Sequence, residues 1–160
     1  MHMRLSAAIG LLCLSLWVPC VTAAGSAPVL QVTGQIADGP AVFDMPQLRD
    51  LPRATLETST VVTDGAHRFT GFLMRDFLAQ LGAEGQMVTA TALNDYAVDI
   101  PLSDFDRFDV IVAYSMDGAA LDRADKGPLW IVYPRDAHAE LQDIRYDYRW
   151  VWQLSQIDVR

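Results

Sequence analysis

The sequence predicts a compact, β-rich α+β domain with a mixed sheet and few short helices. Three observations carry that prediction. Short apolar stretches recur between Gly, Pro, Asn and Asp turn signals along most of the chain. One segment, Leu73 to Leu81, has the spacing of an amphipathic helix. A continuous apolar run, Val110 to Tyr114, has the length and β-branched content of a buried strand.

Taken in order, the first element is an extended pair. Leu30, Val32 and Ile36 precede the turn Asp38-Gly39-Pro40, and Ala41-Val42-Phe43 follows it, which reads as a hairpin. Asp44 is placed to cap a short helix through Leu48, because its carboxylate can accept from amides two or three residues ahead. Ala54 to Val62, rich in Thr and Val, and the stretch around Arg68-Phe69 form a second strand pair about the turn Thr63-Asp64-Gly65.

Leu73, Met74, Phe77, Leu78 and Leu81 lie on one helical stripe, and Gly82 can supply a left-handed cap. Met87 to Leu93 and Tyr96 to Ile100 make a third strand pair interrupted by Asn94-Asp95. A helical turn over 102–108 leads to the buried strand 110–114, and Ala119-Ala120-Leu121 and Leu129 to Tyr133 extend the sheet. The polar stretch 136–147 reads as a surface loop, and Trp150 to Val159 as a final strand with aromatic weight at its start.

The N-terminus predicts export. Arg4, an apolar run from Leu5 to Val18, and the small residues Thr22, Ala23 and Ala24 follow the order of a secretory leader, giving a signal peptide over 1–23 and one domain over 24–160. The run is short for a membrane span, so a periplasmic or secreted product without a transmembrane segment is expected. Lipidation at Cys20 is the alternative, although Val18-Pro19 suits that processing poorly. Both cysteines, Cys13 and Cys20, precede residue 24, so the expected mature domain has no disulfide and relies on core packing.

Twenty acidic residues against twelve basic ones give a formal net charge of −8. That charge repels phosphate backbones, so no nucleic-acid partner is expected. His67 and His138 are the only imidazoles after residue 2, and no nucleophile-elbow sequence accompanies them. Asp104, Asp106 and Asp109 lack the glycine and terminal glutamate of a calcium loop and read as a solvated face. No catalytic residue and no metal ligand is assigned.

Polar and aromatic groups converge instead near strand ends, the usual make-up of a small-molecule site. The candidate ligand-binding or cofactor-binding residues are Asn94, Asp95, Tyr96, Asp117, Trp130, Tyr133 and Arg135. Arg135 is the first choice for an anion, with Arg68, Arg145 and Arg149 as the other basic residues expected near the pocket.

Several of these residues belong to a longer pattern: Gly34, Phe69-Thr70-Gly71-Phe72-Leu73 before Asp76-Phe77-Leu78, Asn94-Asp95-Tyr96, Ala113-Tyr114 with Asp117-Gly118, Gly127-Pro128-Leu129, and Trp150-Val151 with Gln153-Leu154. In that order the chain resembles the oxidoreductase molybdopterin-binding domain family, with the fold of sulfite oxidase. The resemblance implies a pterin pocket, and in catalytic relatives a molybdenum held by two dithiolene sulfurs and one cysteine.

Counting back from Gly71, that cysteine's place falls between Leu56 and Val61, where Thr58, Ser59 and Thr60 stand; hydroxyls are harder, less donating ligands than thiolate. The expectation is a family member without the metal-ligating cysteine and with no cofactor, molybdopterin being the one cofactor left open. It would act as a periplasmic small-ligand-binding or sensory accessory protein, its partner a small molecule or an envelope signalling or redox protein. The alternatives are an active molybdopterin-dependent oxidoreductase, or subunit, with unusual metal ligation, and an acidic interaction module of an envelope complex.

Overall fold

The computed structural model describes residues 26–160. The expected signal peptide and Cys20 lie outside the described residues. Among these residues no helix is long and apolar enough to cross a membrane.

The hairpin is formed by β1 (Pro28–Gly34) and β2 (Ala41–Asp44), and α1 (Met45–Asp50) follows at once. Asp44 caps α1 reciprocally: its carboxylate accepts from the Gln47 amide at 2.9 Å and its own amide donates to Gln47 Oε1 at 2.8 Å. Next come β3 (Arg53–Ser59), β4 (Ala66–Leu73), α2 (Met74–Gln80), β5 (Met87–Ala92), β6 (Ala97–Pro101) and α3 (Leu102–Phe108). The chain closes with β7 (Ile111–Met116), β8 (Ala119–Ala120), β9 (Trp130–Val132), a 3₁₀ turn over Ala139–Gln142, α4 (Ile144–Asp147) and β10 (Leu154–Val159).

These strands form two sheets. One has the order β2-β1-β10-β5-β6, with β1 and β10 parallel and its other pairs antiparallel. The other has the order β3-β4-β7-β8, with β9 also pairing with β7. In β5 the pattern alternates, burying Val88, Ala90 and Ala92, as expected of a strand with one solvated face. In β7 Ile111, Val112, Ala113 and Tyr114 are all buried, so the continuous apolar run is covered on both faces.

The two sheets are stitched together at 150–154. The Ile131 amide donates to the Val151 carbonyl at 2.9 Å, the Leu154 amide to the Leu129 carbonyl at 2.9 Å, and Trp130 bridges to Trp152. The chain therefore leaves the edge of one sheet and enters the middle of the other as β10. Between the sheets lies a common core in which Phe69 meets Trp130 edge-on at 5.3 Å, and α2 adds Phe77 against Phe43 and Phe72.

The stretch 136–147, expected as a loop, contains the 3₁₀ turn and α4. Asp143 explains the second of these: its carboxylate accepts from the Arg145 amide and pairs with the Arg145 side chain, capping one short turn. Leu141 is buried and anchors the first.

Gly71 fixes the contact between β4 and β7. A Cβ there would stand 1.9 Å from the Val112 carbonyl oxygen, at a point where the β4 and β7 register shifts. Gly71→Ala is expected to destabilise the fold by at least about 2 kcal/mol, because the obstruction is backbone that must move, and urea denaturation measures the loss.

Candidate functional site

The described residues contain a recessed pocket of about 330 Å³ lined by Ala92, Asn94, Tyr96, Asp147, Tyr148, Trp150 and Trp152. Three pieces of chain build it. The β5–β6 turn supplies Asn94 and Tyr96; Asp95 between them adopts a left-handed φ of 64°, which an Asp tolerates better than most residues. The Asn94 side-chain oxygen accepts from the Tyr96 amide at 3.2 Å and holds the turn. The end of α4 supplies Asp147 and Tyr148, and the approach to β10 supplies Trp150 and Trp152.

Each wall is tied to the others. Tyr96 donates its hydroxyl to the Tyr148 carbonyl at 3.3 Å. Gln153 takes a left-handed φ of 52°, a conformation that a long side chain adopts only when neighbours hold it. Its amide donates to the Lys126 carbonyl at 3.0 Å, its side chain donates to the Arg123 carbonyl at 2.8 Å, and its carbonyl accepts from the Leu93 amide at 2.9 Å. Trp152 is thereby fixed beside the turn that carries Asn94. Trp150 is 2% exposed, whereas Tyr96, Tyr148 and Trp152 keep 38–47% of their surface open.

Behind this wall stands a buried ion pair. Asp104, 7% exposed, accepts from the Tyr133 hydroxyl at 3.0 Å and from Arg149 Nη1. Arg149 also donates to the Tyr148 hydroxyl and lies over the rings of Tyr146 and Tyr148. Desolvation lowers the Arg149 pKa, but its hydrogen bonds to Tyr148 and Asp104 and the Asp104 charge outweigh that and hold it above the ordinary value. Burial, reinforced by the Asp104 carboxylate, pushes the Tyr133 phenol well above its ordinary pKa. The expectation that Asp104 belongs to a solvated face is overturned: helical spacing places it with Phe105 and Phe108 on the buried side of α3.

The sequence-predicted residues fall in four places. Asn94 and Tyr96 line the pocket, and Asp95 is exposed on the turn between them. Trp130 and Tyr133 are fully buried core residues. Asp117 lies in the β7–β8 turn, where it accepts from the Arg68 amide at 2.9 Å and pairs with His67 Nδ1 at 2.6 Å. Arg135 follows β9 and is half-buried, with a buried Nε that finds no partner. Asp147, Tyr148, Trp150 and Trp152 were not among the predicted site residues, although aromatics at 146, 148, 150 and 152 make an alternating signal in the sequence.

A larger and shallower depression of about 700 Å³ lies around Gln35, Gln86, Asp99 and Arg160. It has no aromatic lining, and Arg160 is paired there with Asp99 and Asp158, so the aromatic pocket is the better candidate.

A thiolate-bound molybdopterin needs a sulfur ligand, a cation for its phosphate and a bed for its ring. Among the described residues there is no cysteine and no group of three or more His, Cys, Asp or Glu placed to hold a metal ion. The hydroxyls near the expected cysteine position are engaged: Ser59 Oγ donates to Asp136 at 2.5 Å, Thr58 Oγ1 accepts from the Asp136 amide, and Thr60 pairs with Thr63. Those Ser59 bonds hold the Asp136 carboxyl below its usual range. Arg68, Arg145 and Arg149 are paired with Glu57, Asp143 and Asp104, whereas Arg135, beside Asp136, is in no ion pair among the described residues and keeps a buried Nε without a partner. The aromatic pocket suits a flat ring, and residues 26–160 offer no thiolate for a metal.

Asp104→Ala leaves Arg149 uncompensated and is expected to cost about 3–5 kcal/mol, whereas Tyr133→Phe, which keeps the ion pair, is expected to cost only about 1 kcal/mol, both read by thermal denaturation. His67 is raised by the hydrogen bond to Asp117, and Asp117 is lowered chiefly by the same bond. The stabilisation from His67 is therefore complete below about pH 6.5 and disappears as pH rises through its folded value; that from Asp117 disappears as pH falls through its own. An NMR titration should show His67 titrating above the free imidazole and falling back in Asp117→Asn.

A family model described as the oxidoreductase molybdopterin binding domain matches residues 17–141, and no curated protein matches the chain. The matched stretch includes Asn94, Tyr96 and Asp104 and ends before Asp147, so the second wall of the pocket lies beyond it. With most of its length matched and a β-rich α+β architecture of mixed sheets, the chain belongs to the oxidoreductase molybdopterin-binding domain family.

Proposed function

We propose that this family member is an exported small-ligand-binding domain, serving as a sensory or accessory component of the periplasm, and that its ligand occupies the pocket between the β5–β6 turn and residues 147–152. The aromatic pocket carries this reading. It offers four rings for contact area, Asn94 and Asp147 for orientation, and a volume of about 330 Å³ suited to a small molecule. The leader-like order of residues 1–23 supports export.

That residues 26–160 hold no cysteine supports a binding role over redox catalysis. A second reading, a molybdopterin-dependent oxidoreductase with unusual ligation, draws its support from the family match. In it the aromatic pocket would bed the pterin ring, and the metal ligand would come from outside the described set of donors.

Molybdenum analysis and oxidised-pterin fluorescence on protein recovered from its native compartment separate the two. The binding reading expects less than about one metal in ten chains in folded protein, together with a ligand whose affinity falls at least about tenfold in Trp152→Ala. Stoichiometric molybdenum and pterin would overturn it in favour of the enzyme.

A further inference from the structure

The pocket is unequal in its chemistry. Four rings line it, two of them tryptophan, and the only charged lining residue is the carboxylate of Asp147. Asp147 is half-buried, its Oδ1 is buried and accepts no hydrogen bond, and it takes part in no ion pair among the described residues; the buried Trp150 Nε1 in the same lining likewise has no partner. A buried carboxylate oxygen without a donor is costly, so a ligand that brings an N–H to it recovers the energy of that missing bond. The cation next in sequence on this wall, Arg149, is unable to do so as placed, being held by Asp104 and the Tyr148 hydroxyl. Its charge is matched by Asp104, so it leaves Asp147 as the uncompensated charge at the pocket.

Ring faces attract positive charge, tryptophan most strongly, and the attraction grows as water is excluded. The same wall already shows this preference, since Arg149 lies 4.7 Å from the Tyr146 ring centre and 5.4 Å from that of Tyr148. The chain's net charge of −8 adds a long-range attraction for cations and none for anions. Resting on the reading of this pocket as the ligand site, we propose that its ligand is a small organic cation bearing N–H donors, a protonated amine or a guanidinium, with the charge against Asp147 and the carbon skeleton between Tyr96, Trp150 and Trp152. An anionic phosphate ligand finds no unpaired cation in this lining.

The test is isothermal titration of the whole purified chain with n-butylammonium, n-butanol and butyrate at matched low ionic strength, with neutral pterin as a fourth probe. The proposal expects butylammonium to bind at least about tenfold more tightly than butanol, butyrate to be the weakest, and the preference to shrink as salt is added. Asp147→Asn should bring butylammonium to the affinity of butanol, while Trp152→Ala weakens both; thermal unfolding of each variant confirms that it remains folded. Should Asp147→Asn fail to fold, the salt dependence and the ammonium-to-alcohol ratio in the unaltered chain decide alone.

Equal affinity for butanol and butylammonium, or a preference that survives in folded Asp147→Asn, overturns the cation assignment. If neutral pterin binds and depends on Trp152 while the ammonium does not, the cation assignment falls and the pocket stands as a ligand site. If none of the four probes binds to the folded chain, both fall.

Discussion

The candidate site depends on one buried carboxylate. Asp104 lies on the inner side of α3 and is shared by the Tyr133 hydroxyl, just past β9, and the Arg149 guanidinium, just past α4. Three segments distant in sequence are therefore held by one charge. A buried pair of this kind contributes little net stability compared with apolar packing, but it penalises any arrangement that separates its members. What it secures is placement: Arg149 is followed directly by Trp150, and its guanidinium spans Tyr146 and Tyr148.

The second constraint is the route of the chain between the sheets. Residues 150–154 hydrogen-bond to the β9 side of one sheet and then become the central strand of the other. The side chains along this crossing cannot all face the core. Trp150 is buried against Tyr133, and Trp152 is left partly exposed beside the β5–β6 turn. The pocket forms where this crossing passes that turn, with the strained backbone of Gln153 held by three hydrogen bonds at its corner. The pocket is backed by hydrogen-bonded strands on its sheet side and exposed at the rim of Tyr96, Tyr148 and Trp152.

Much of the fold was legible in the sequence because its signals are local. The turn Asp38-Gly39-Pro40, the Asp44 cap, the stripe Leu73 to Leu81 and the buried run before Tyr114 each specify an element without reference to distant residues, and each element is present. The family was legible too, because its marks are spread in order along the chain. The candidate pocket was legible only in part. Asn94 and Tyr96, polar residues that interrupt two strands, line it, whereas Trp130 and Tyr133 attracted attention by composition and are core residues. Asp104 was misread as solvated because its two partners stand 29 and 45 residues away, and no local pattern announces them. Asp147 was hidden in the same way, since its neighbourhood exists only once the crossing has formed.

The proposed ligand site is the aromatic pocket, away from the strand end at Thr58, Ser59 and Thr60, where the hydroxyls already bond with Asp136 and Thr63. The most direct test is an experimental structure of the protein recovered from its native compartment without added ligand. The account predicts density for a small molecule in contact with Asp147, Trp150 and Trp152, and unbroken hydrogen bonds between Ser59 and Asp136. A metal or pterin seated at Thr58 to Thr60, with the aromatic pocket closed by its own side chains, would contradict it.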